Sequence, residues 1–149
     1  MEKQSDVNIR NAEENDFKLI YEYVNLLEET DFDTETQKKA FIKNIKNPDF
    51  IYLIAEKNNK PIGYLSCHSQ YLLHHGGQKI GEIQEMFVDP DYRGNGIGKK
   101  LIDKLKKVAK KINVLQLEVT SNKKRIQTHK FYKRENFINS HEKFTFEIK

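Results

Sequence analysis

Apolar residues recur along this chain with two different periods, and each period predicts one kind of element. In the stretch 97–112 they are spaced by steps of four, four, three and four, which predicts an amphipathic helix carrying Ile97, Leu101, Leu105, Val108 and Ile112 on one face. A similar pattern from about 16 to 27 predicts a first helix that Asn15 or Asp16 caps. Two shorter helices are expected, one ending near 47–48 and one over 123–134.

Extended segments fill the space between these helices. Runs rich in apolar residues and bounded by turn residues predict strands at 7–10, 51–56, 61–73, 79–88 and 114–119. The end of the chain, 137–149, is also expected to be extended, because Phe144, Phe146 and Ile148 alternate with polar residues. The predicted order is β-α-α-β-β-β-α-β-α-β, which is a mixed sheet with helices on both sides.

Composition narrows the class of protein. A chain of 149 residues suits a single domain, 1–149, with a real core. The net charge of +4 comes largely from lysines on predicted helix faces, so we expect a solvated surface and no nucleic-acid partner. The single cysteine, Cys67, excludes an internal disulfide and fits a reducing compartment. Without a long apolar run or a signal peptide, the chain is expected to be cytoplasmic, with no membrane partner.

One stretch carries a recognisable chemical pattern. The strand that ends at Val88 is followed by Asp89-Pro90, by the glycine-rich turn 93–98, and at once by the amphipathic helix. The first amides of a helix have no partners within it, and the helix dipole makes that end positive. Glycines allow a ligand to approach the backbone closely. The sequence therefore predicts a site for a phosphate or pyrophosphate at this turn.

Two familiar phosphate motifs do not fit the turn. A P-loop requires glycine where Arg93 stands and a hydroxyl where Lys100 stands. A dinucleotide-binding fingerprint requires different glycine spacing, and it lies early in a βαβ unit. The remaining form, Arg93-x-x-Gly96-x-Gly98 after a strand, resembles the coenzyme A motif of the GCN5-related N-acetyltransferases (GNATs).

This resemblance implies a fold, a cosubstrate and a set of residues. The implied fold is a mixed, largely antiparallel sheet of about six to seven strands flanked by four helices. The implied cosubstrate is acetyl-CoA. The residues expected to contact it are Met86, Phe87, Val88, Arg93, Gly94, Asn95, Gly96, Ile97, Gly98, Lys99, Asn122, His129 and Tyr132.

Acetyl transfer also requires an acid and a base. Tyr132 lies in a segment, 128–137, that resembles the C-terminal helix motif of the family, which has a tyrosine near the thiol, and it is the candidate acid. The chain departs from the commoner family pattern, which has alanine in place of Thr128 and glycine in place of Asn136. Glu82 is the candidate base and Glu85 the reserve. Because they are three residues apart, strand alternation predicts that they face opposite ways, with Gln84 on the face of Glu82.

A second resemblance concerns the acceptor. Residues 73–75 with 80–85, 124–132 and 140–145 together resemble the aminoalkylphosphonate N-acetyltransferases, and this likeness covers nearly the whole chain. It implies a small aminoalkylphosphonic acid as acceptor and is compatible with a divalent metal. His129 and His141 are further candidate ligands or partners of the dianion. The residues expected near the acceptor are Glu28, Asp31, Phe32, His74, His75, Gln84 and Arg125.

The sequence leaves several alternatives open. The acidic segment 28–35 is either a solvated linker or one wall of a pocket that attracts an amine, and it would also suit a polycationic aminoglycoside. A non-catalytic acyl-CoA-binding module would keep the same glycine-rich turn. The metal requirement remains unknown, and so does the oligomeric state, for which a homodimer is one option.

Overall fold

The computed structural model describes residues 6–148 and contains four α-helices and five strands within that range. The strands are β1 (Val7–Asn11), β2 (Phe50–Lys57), β3 (Lys60–Leu72), β4 (Gln78–Val88) and β5 (Gln116–Val119). The helices are α1 (Phe17–Glu28), α2 (Thr34–Ile45), α3 (Ile97–Lys111) and α4 (Ile126–Arg134). Short 3-10 turns at 14–16, 73–75 and 90–92 connect some of these elements.

The five strands form one sheet in the order β1-β2-β3-β4-β5. The first four are antiparallel neighbours, as hairpin connections require, and β5 is parallel to β4. The parallel pairing joins only Ile80–Ile83 of β4 to Gln116–Val119 of β5. Beyond Ile83, β4 continues to Val88 with no partner on that side, so the two strands part toward the glycine-rich turn.

Each face of the sheet has its own hydrophobic cluster, because the strands alternate in which side chains they present. The face beneath α3 holds one cluster, which includes Leu53, Leu65, Ile83, Leu101 and Tyr132. The opposite face, beneath α1 and α2, holds Ile20, Phe41, Tyr52, Tyr64 and Phe87. The predicted α3 stripe is confirmed as the main contact of that helix with the sheet.

Most expected elements form, with ends shifted by a few residues. The last helix begins at Ile126, three residues later than expected, because the Asn122 side chain accepts a hydrogen bond from the Lys124 amide and holds a turn there. The sheet has five strands where six to seven were expected. The segment 137–148 joins no helix or strand among the described residues, so the expected final strand is not part of the sheet. No helix within residues 6–148 is long and apolar enough to cross a membrane.

Candidate active site

The glycine-rich turn has the backbone that an anion site needs. Gly94 and Gly96 adopt positive φ angles of 81° and 77°, which side chains rarely accept, and the space beside each is open. Gly96 is the N-cap of α3, and the Lys100 amide donates to its carbonyl at 3.1 Å. The amides of residues 97–99 therefore precede the first hydrogen bond of the helix and point out of its N-terminus.

Side chains around the turn fix its position. Nε of Arg93 donates to the carbonyl oxygen of Val88 at 2.8 Å, and its guanidinium lies 5.1 Å from the centre of the Phe87 ring. The side-chain amide of Asn95 donates to the Tyr92 carbonyl at 3.1 Å. Arg93 thus ties the turn to the end of β4. This use of the guanidinium was not foreseen, since only a contact with the coenzyme was expected.

The other residues of the turn belong to α3. Gly98 packs against α4, because a Cβ there would lie 3.1 Å from the Phe131 ring. Ile97 is buried in the cluster beneath α3. The ammonium of Lys99 is exposed and lies 3.4 Å from Asp103 and 3.6 Å from Glu135. Gly98 therefore has a packing role in addition to its place in the motif.

The prediction that Glu82 and Glu85 face opposite ways is wrong. The register pairs Glu82 with His68 and Glu85 with Ser66, while Ile83 pairs with Cys67. Gln84 is therefore the extra residue of a β-bulge, and side chains do not alternate across it. The expectation that Gln84 shares a face with Glu82 rested on alternation and does not hold here. His68 and Ser66 are two residues apart, so both glutamates extend from the face beneath α1 and α2.

The two carboxylates have different surroundings. Oε1 of Glu85 accepts hydrogen bonds from the hydroxyls of Ser66, at 2.6 Å, and Tyr64, at 2.9 Å. Glu82 accepts one longer bond, from the Thr120 hydroxyl at 3.3 Å. Glu85 is thus held in place on the face of the sheet. Glu82 lies one residue before Ile83, where the parallel pairing with β5 ends.

Several polar residues of this face were missed by the sequence analysis. Tyr64, Ser66 and His68 occur at every second position of β3, so their period of two within an apolar run was the available signal. The Tyr52 hydroxyl lies 2.8 Å from Nε2 of His68, whose ring stacks on Phe50 at 3.7 Å between centres. Burial lowers the pKa of His68 and favours its neutral form.

Tyr132 is buried on the other face of the sheet, in the cluster beneath α3. Its ring lies 5.2 Å from that of Phe131 and 5.3 Å from that of Phe137, centre to centre. Burial raises its pKa to about 12, and the nearby positive charge of Arg125 opposes this effect. The hydroxyl therefore stays protonated at neutral pH and can donate a hydrogen bond.

The loop between β5 and α4 brings several predicted residues together. The carbonyl oxygen of Asn122 lies 2.9 Å from Nε2 of His129, one turn before Tyr132 on α4. Next to Asn122, the Ser121 hydroxyl is the one buried side-chain polar atom within residues 6–148 that has no hydrogen-bond partner. This hydroxyl is enclosed by protein, whereas the neighbouring Asn122 is exposed.

The acidic segment lies across from this loop and is connected to it. The Arg125 guanidinium donates to the carbonyl oxygen of Leu27 at 3.1 Å and lies 3.5 Å from the Glu28 carboxylate. Within the segment, the Tyr21 hydroxyl bonds to Asp31 at 3.2 Å and to the carbonyl of Phe32. Glu28 and Arg125 are therefore brought together, and the segment is anchored to α1.

The expected histidines do not gather at this place. His74 and His75 lie in the turn between β3 and β4, before the start of β4 at Gln78. At about 3.3 Å per residue, Gln78 is roughly 13 Å along the strand from Glu82 and roughly 23 Å from Glu85. Nδ1 of His141 accepts from the Ser140 hydroxyl at 2.6 Å or donates to it, in the exposed C-terminal segment. Within residues 6–148 no three His, Cys, Asp or Glu side chains are grouped as metal ligands. The donors of the described chain thus do not fit a divalent metal site.

Comparison with known proteins agrees with the fold. The family model for the acetyltransferase (GNAT) family matches residues 15–137. An aminoalkylphosphonate N-acetyltransferase of Salmonella typhimurium is 33% identical over 149 residues, which cover 97% of this chain and 96% of that protein. The chain belongs to the acetyltransferase (GNAT) family. It is an N-acetyltransferase.

Solved structures with lower identity share the fold. A transcriptional regulator from Bacillus halodurans C-125 matches with a TM-score of 0.86 at 21% identity, covering 95% of this chain and 99% of that one. An aminoglycoside acetyltransferase from a soil metagenomic sample, solved with trehalose, matches with a TM-score of 0.81 at 21% identity, covering 98% and 99%. The predicted superfamily and its mixed sheet are confirmed.

Proposed function

We propose that this chain transfers the acetyl group of acetyl-CoA to the primary amine of a small aminoalkylphosphonic acid. The observation that carries the choice of acceptor is the 33% identity, over nearly the whole of both chains, to an aminoalkylphosphonate N-acetyltransferase. The positive φ glycines, the outward amides of residues 97–99 and the parting of β4 from β5 support acetyl-CoA as the donor.

The end of β4 holds the coenzyme in this proposal. The pyrophosphate lies at the N-terminus of α3, where the turn 93–98 leaves open space. The pantetheine arm follows Met86, Phe87 and Val88, whose side toward β5 has no strand partner, and reaches Asn122. A backbone amide of this stretch donates to the thioester oxygen and stabilises the negative charge that develops there.

Glu82 removes the proton of the acceptor ammonium. Its carboxylate accepts one bond of 3.3 Å, whereas one oxygen of Glu85 is already occupied by two hydroxyl donors. Glu85 then supports the same face as a fixed negative charge that attracts the ammonium. The ammonium gives one proton to Glu82, and the nitrogen forms a bond to the acetyl carbon. The carbon–sulfur bond then breaks, and the second proton lost by the nitrogen ends on the coenzyme A thiolate.

Tyr132 assists the departing sulfur. Its pKa of about 12 makes it a weaker acid than an exposed tyrosine, so its first contribution is a hydrogen bond to the sulfur as negative charge develops. His129, one turn earlier on α4 and bound to the Asn122 carbonyl, fixes the loop beside it.

Arg125 binds the phosphonate at the opposite end of the acceptor. Its guanidinium lies between α4 and the acidic segment, where a dianion replaces the Leu27 carbonyl or the Glu28 carboxylate as its partner. Glu28, Asp31 and Phe32 form the wall on the α1 side. His74 and His75, in the distant turn, have no part in this arrangement.

An aminoglycoside is the second candidate acceptor. The exposed acidic segment 28–35 would attract a polycation, and aminoglycoside acetyltransferases are among the proteins that share the fold. The test is a direct comparison of kcat/KM for 2-aminoethylphosphonate and kanamycin, each with added divalent metal and with chelator. We expect a clear preference for the phosphonate. A preference for kanamycin, or no turnover of the phosphonate under either condition, would reject the proposed acceptor and leave the family assignment intact.

A further inference from the structure

A line of hydrogen bonds on the sheet face beneath α1 and α2 ends at His68. The Tyr52 hydroxyl lies 2.8 Å from Nε2 of the imidazole, and the Asn44 side chain of α2 hydrogen-bonds to the same hydroxyl. The His68 ring also stacks on Phe50, with 3.7 Å between the ring centres and 5° between the planes. Stacking on one side and a hydrogen bond at one edge leave the ring little freedom to turn.

These bonds indicate which nitrogen of His68 carries the proton. Burial raises the pKa of Tyr52 to about 12, and the bond with Asn44 opposes this rise, so the Asn44 amide donates to the oxygen of a protonated hydroxyl. The single hydroxyl hydrogen then goes to His68, which makes Nε2 an acceptor. Burial also lowers the pKa of His68 and favours the neutral imidazole. A neutral imidazole that accepts at Nε2 carries its one hydrogen on Nδ1.

The Nδ1 hydrogen of His68 is an unused donor. Within residues 6–148 the ring has one hydrogen bond, at Nε2. The Ser121 hydroxyl is the one enclosed side-chain polar atom of that range without a partner, so Nδ1 is open to solvent. The register partner of His68 on β4 is Glu82, and side chains paired in this way have Cβ atoms roughly 4.5–5.5 Å apart on one face. The donor therefore lies beside the carboxylate that serves as base in the proposed function.

We propose that His68 is a positioning residue for the base: its Nδ1–H donates to the carboxylate of Glu82, directly or across one water. This inference rests on the proposed function, in which Glu82 takes the proton of the acceptor ammonium. A charge-assisted bond from a ring that cannot turn holds the carboxylate in one orientation. The oxygen that faces the ammonium is then in place before the acceptor binds.

The surroundings of Glu82 explain why it needs this donor. Glu118 is its register partner on β5, and Glu85 extends from the same face. Like charges on neighbouring strands repel each other. Glu85 has two hydroxyl donors that offset the repulsion, whereas Glu82 has one bond of 3.3 Å from Thr120. The Nδ1 hydrogen of His68 supplies a second donor.

Nitrogen-15 NMR of the full chain tests the position of the proton without any substrate, since the two neutral tautomers give different imidazole shifts. The His68→Gln spectrum identifies the His68 signals among those of the five histidines. At neutral pH we expect a neutral imidazole with its hydrogen on Nδ1, and a larger change of the Nδ1 signal in Glu82→Gln than in Glu118→Gln. A hydrogen on Nε2, a charged imidazole, or equal changes in the two glutamate variants would overturn the inference.

Two substitutions of His68 separate the Nδ1 hydrogen from the bond to Tyr52. In His68→Asn the amide is attached at Cγ, as Nδ1 is, so a donor remains there and Tyr52 loses its partner. In His68→Gln the amide lies one atom further out, so Tyr52 keeps a partner and the donor beside Glu82 is lost. A hydrogen bond to a charged group is worth a factor of about ten to a hundred. With 2-aminoethylphosphonate, kcat should fall by that factor in His68→Gln while the affinity for acetyl-CoA stays the same, and His68→Asn should recover most of the loss.

The other orders of activity contradict the inference. Faster turnover by His68→Gln than by His68→Asn would assign the role to the bond with Tyr52, and equal rates would assign it to the ring on Phe50 or to no part of His68. Thermal unfolding midpoints of the two variants show whether both lose the same stability with the stacked ring. An unchanged chain that acetylates no amine would reject the proposed function, and the NMR signals would still decide where His68 holds its proton and whether Glu82 receives it.

Discussion

The guanidinium of Arg125 donates a hydrogen bond to the carbonyl oxygen of Leu27, at 3.1 Å, and so joins the start of α4 to the end of α1. The same guanidinium lies 3.5 Å from Glu28. α4 carries Tyr132, and α1 leads into the acidic segment, so this contact lies between the proposed coenzyme side and the proposed acceptor side. Arg125 can therefore bind the proposed acceptor from a position away from the glycine-rich turn.

Replacing Arg125 with glutamine should weaken binding of the acceptor and leave binding of acetyl-CoA unchanged. Hydrogen bonds to charged groups contribute about 1.5–3 kcal/mol, so KM for 2-aminoethylphosphonate should rise roughly tenfold or more. Lys124→Gln is the control, since it removes the same charge from the neighbouring exposed position. Steady-state kinetics and calorimetry with acetyl-CoA measure the two effects. Equal KM values for the two variants would show that Arg125 has only a structural role.

Replacing Gly96 with valine should reduce the affinity for acetyl-CoA by at least an order of magnitude. Gly96 has a φ of 77° and borders the proposed pyrophosphate site, so the new side chain strains the turn and enters the space of the ligand. Gly76→Val provides a matched control, because Gly76 has a φ of 68° and open space but lies in the distant β3–β4 turn.

Both glycine variants should lose similar stability, about 1–2 kcal/mol, since both require a left-handed backbone. Calorimetry should show a loss of affinity for acetyl-CoA only in Gly96→Val. Unchanged affinity in Gly96→Val, or an equal loss in Gly76→Val, would contradict the assignment of the turn.

Replacing Tyr132 with phenylalanine removes one hydroxyl from a buried ring and should lower kcat about 100-fold, with acetyl-CoA binding nearly unchanged. Loss of a positioned acid lowers rates by about 10²–10⁴, and the raised pKa of Tyr132 favours the lower end. Tyr71→Phe, on the exposed part of β3, is the control. A kcat within a few-fold of the unchanged enzyme would make Tyr132 a packing residue.

The sequence predicts the fold and the glycine-rich turn well, because both depend on patterns of residues that are close together in the chain. The α3 stripe and the strand–glycine–helix order depend on residues that are close together in the chain. The family motif adds the fold family and the cosubstrate. The faces of Glu82 and Glu85 could not be predicted, since one bulge at Gln84 reverses the outcome of alternation. The bond from Arg125 to Leu27 joins residues far apart in the chain, and no local pattern indicates it.

The C-terminal segment shows a different limit of sequence reasoning. Its alternation predicts an extended strand, but alternation does not say which edge the strand pairs with. In the described single chain the side chains of Phe144, Phe146 and Ile148 stay in solvent.

Stability should fall above pH 10 because of buried tyrosines. Burial raises the pKa of Tyr23, Tyr52 and Tyr132 to about 12 each. Between the ordinary tyrosine pKa of about 10 and these values, the unfolded chain releases protons that the folded chain retains, so unfolding is favoured as the pH rises. The stability is complete below pH 10 and is lost as the pH approaches 12.

Urea unfolding between pH 8 and 11.5 measures this effect. The midpoint should be nearly constant at first and fall with increasing slope above pH 10. Tyr132→Phe should flatten part of the fall, because it removes one of the retained protons. A midpoint that stays level to pH 11.5 would show that these hydroxyls ionise as freely in the folded chain as in the unfolded one.

The most direct test of the account is the release of free coenzyme A thiol from acetyl-CoA as a function of amine, for the unchanged enzyme, Glu82→Gln and Glu85→Gln. The account predicts that thiol release depends on 2-aminoethylphosphonate and equals the N-acetyl product formed. At neutral pH, the rate of Glu82→Gln should be about 10²–10⁴ lower than that of the unchanged enzyme. It should recover as the pH approaches the pKa of the free amine, about 10, because the amine then needs no base. Glu85→Gln should lose less. Thiol release that ignores the amine, or a Glu82→Gln rate within a few-fold of the unchanged enzyme at neutral pH, would contradict the proposed site.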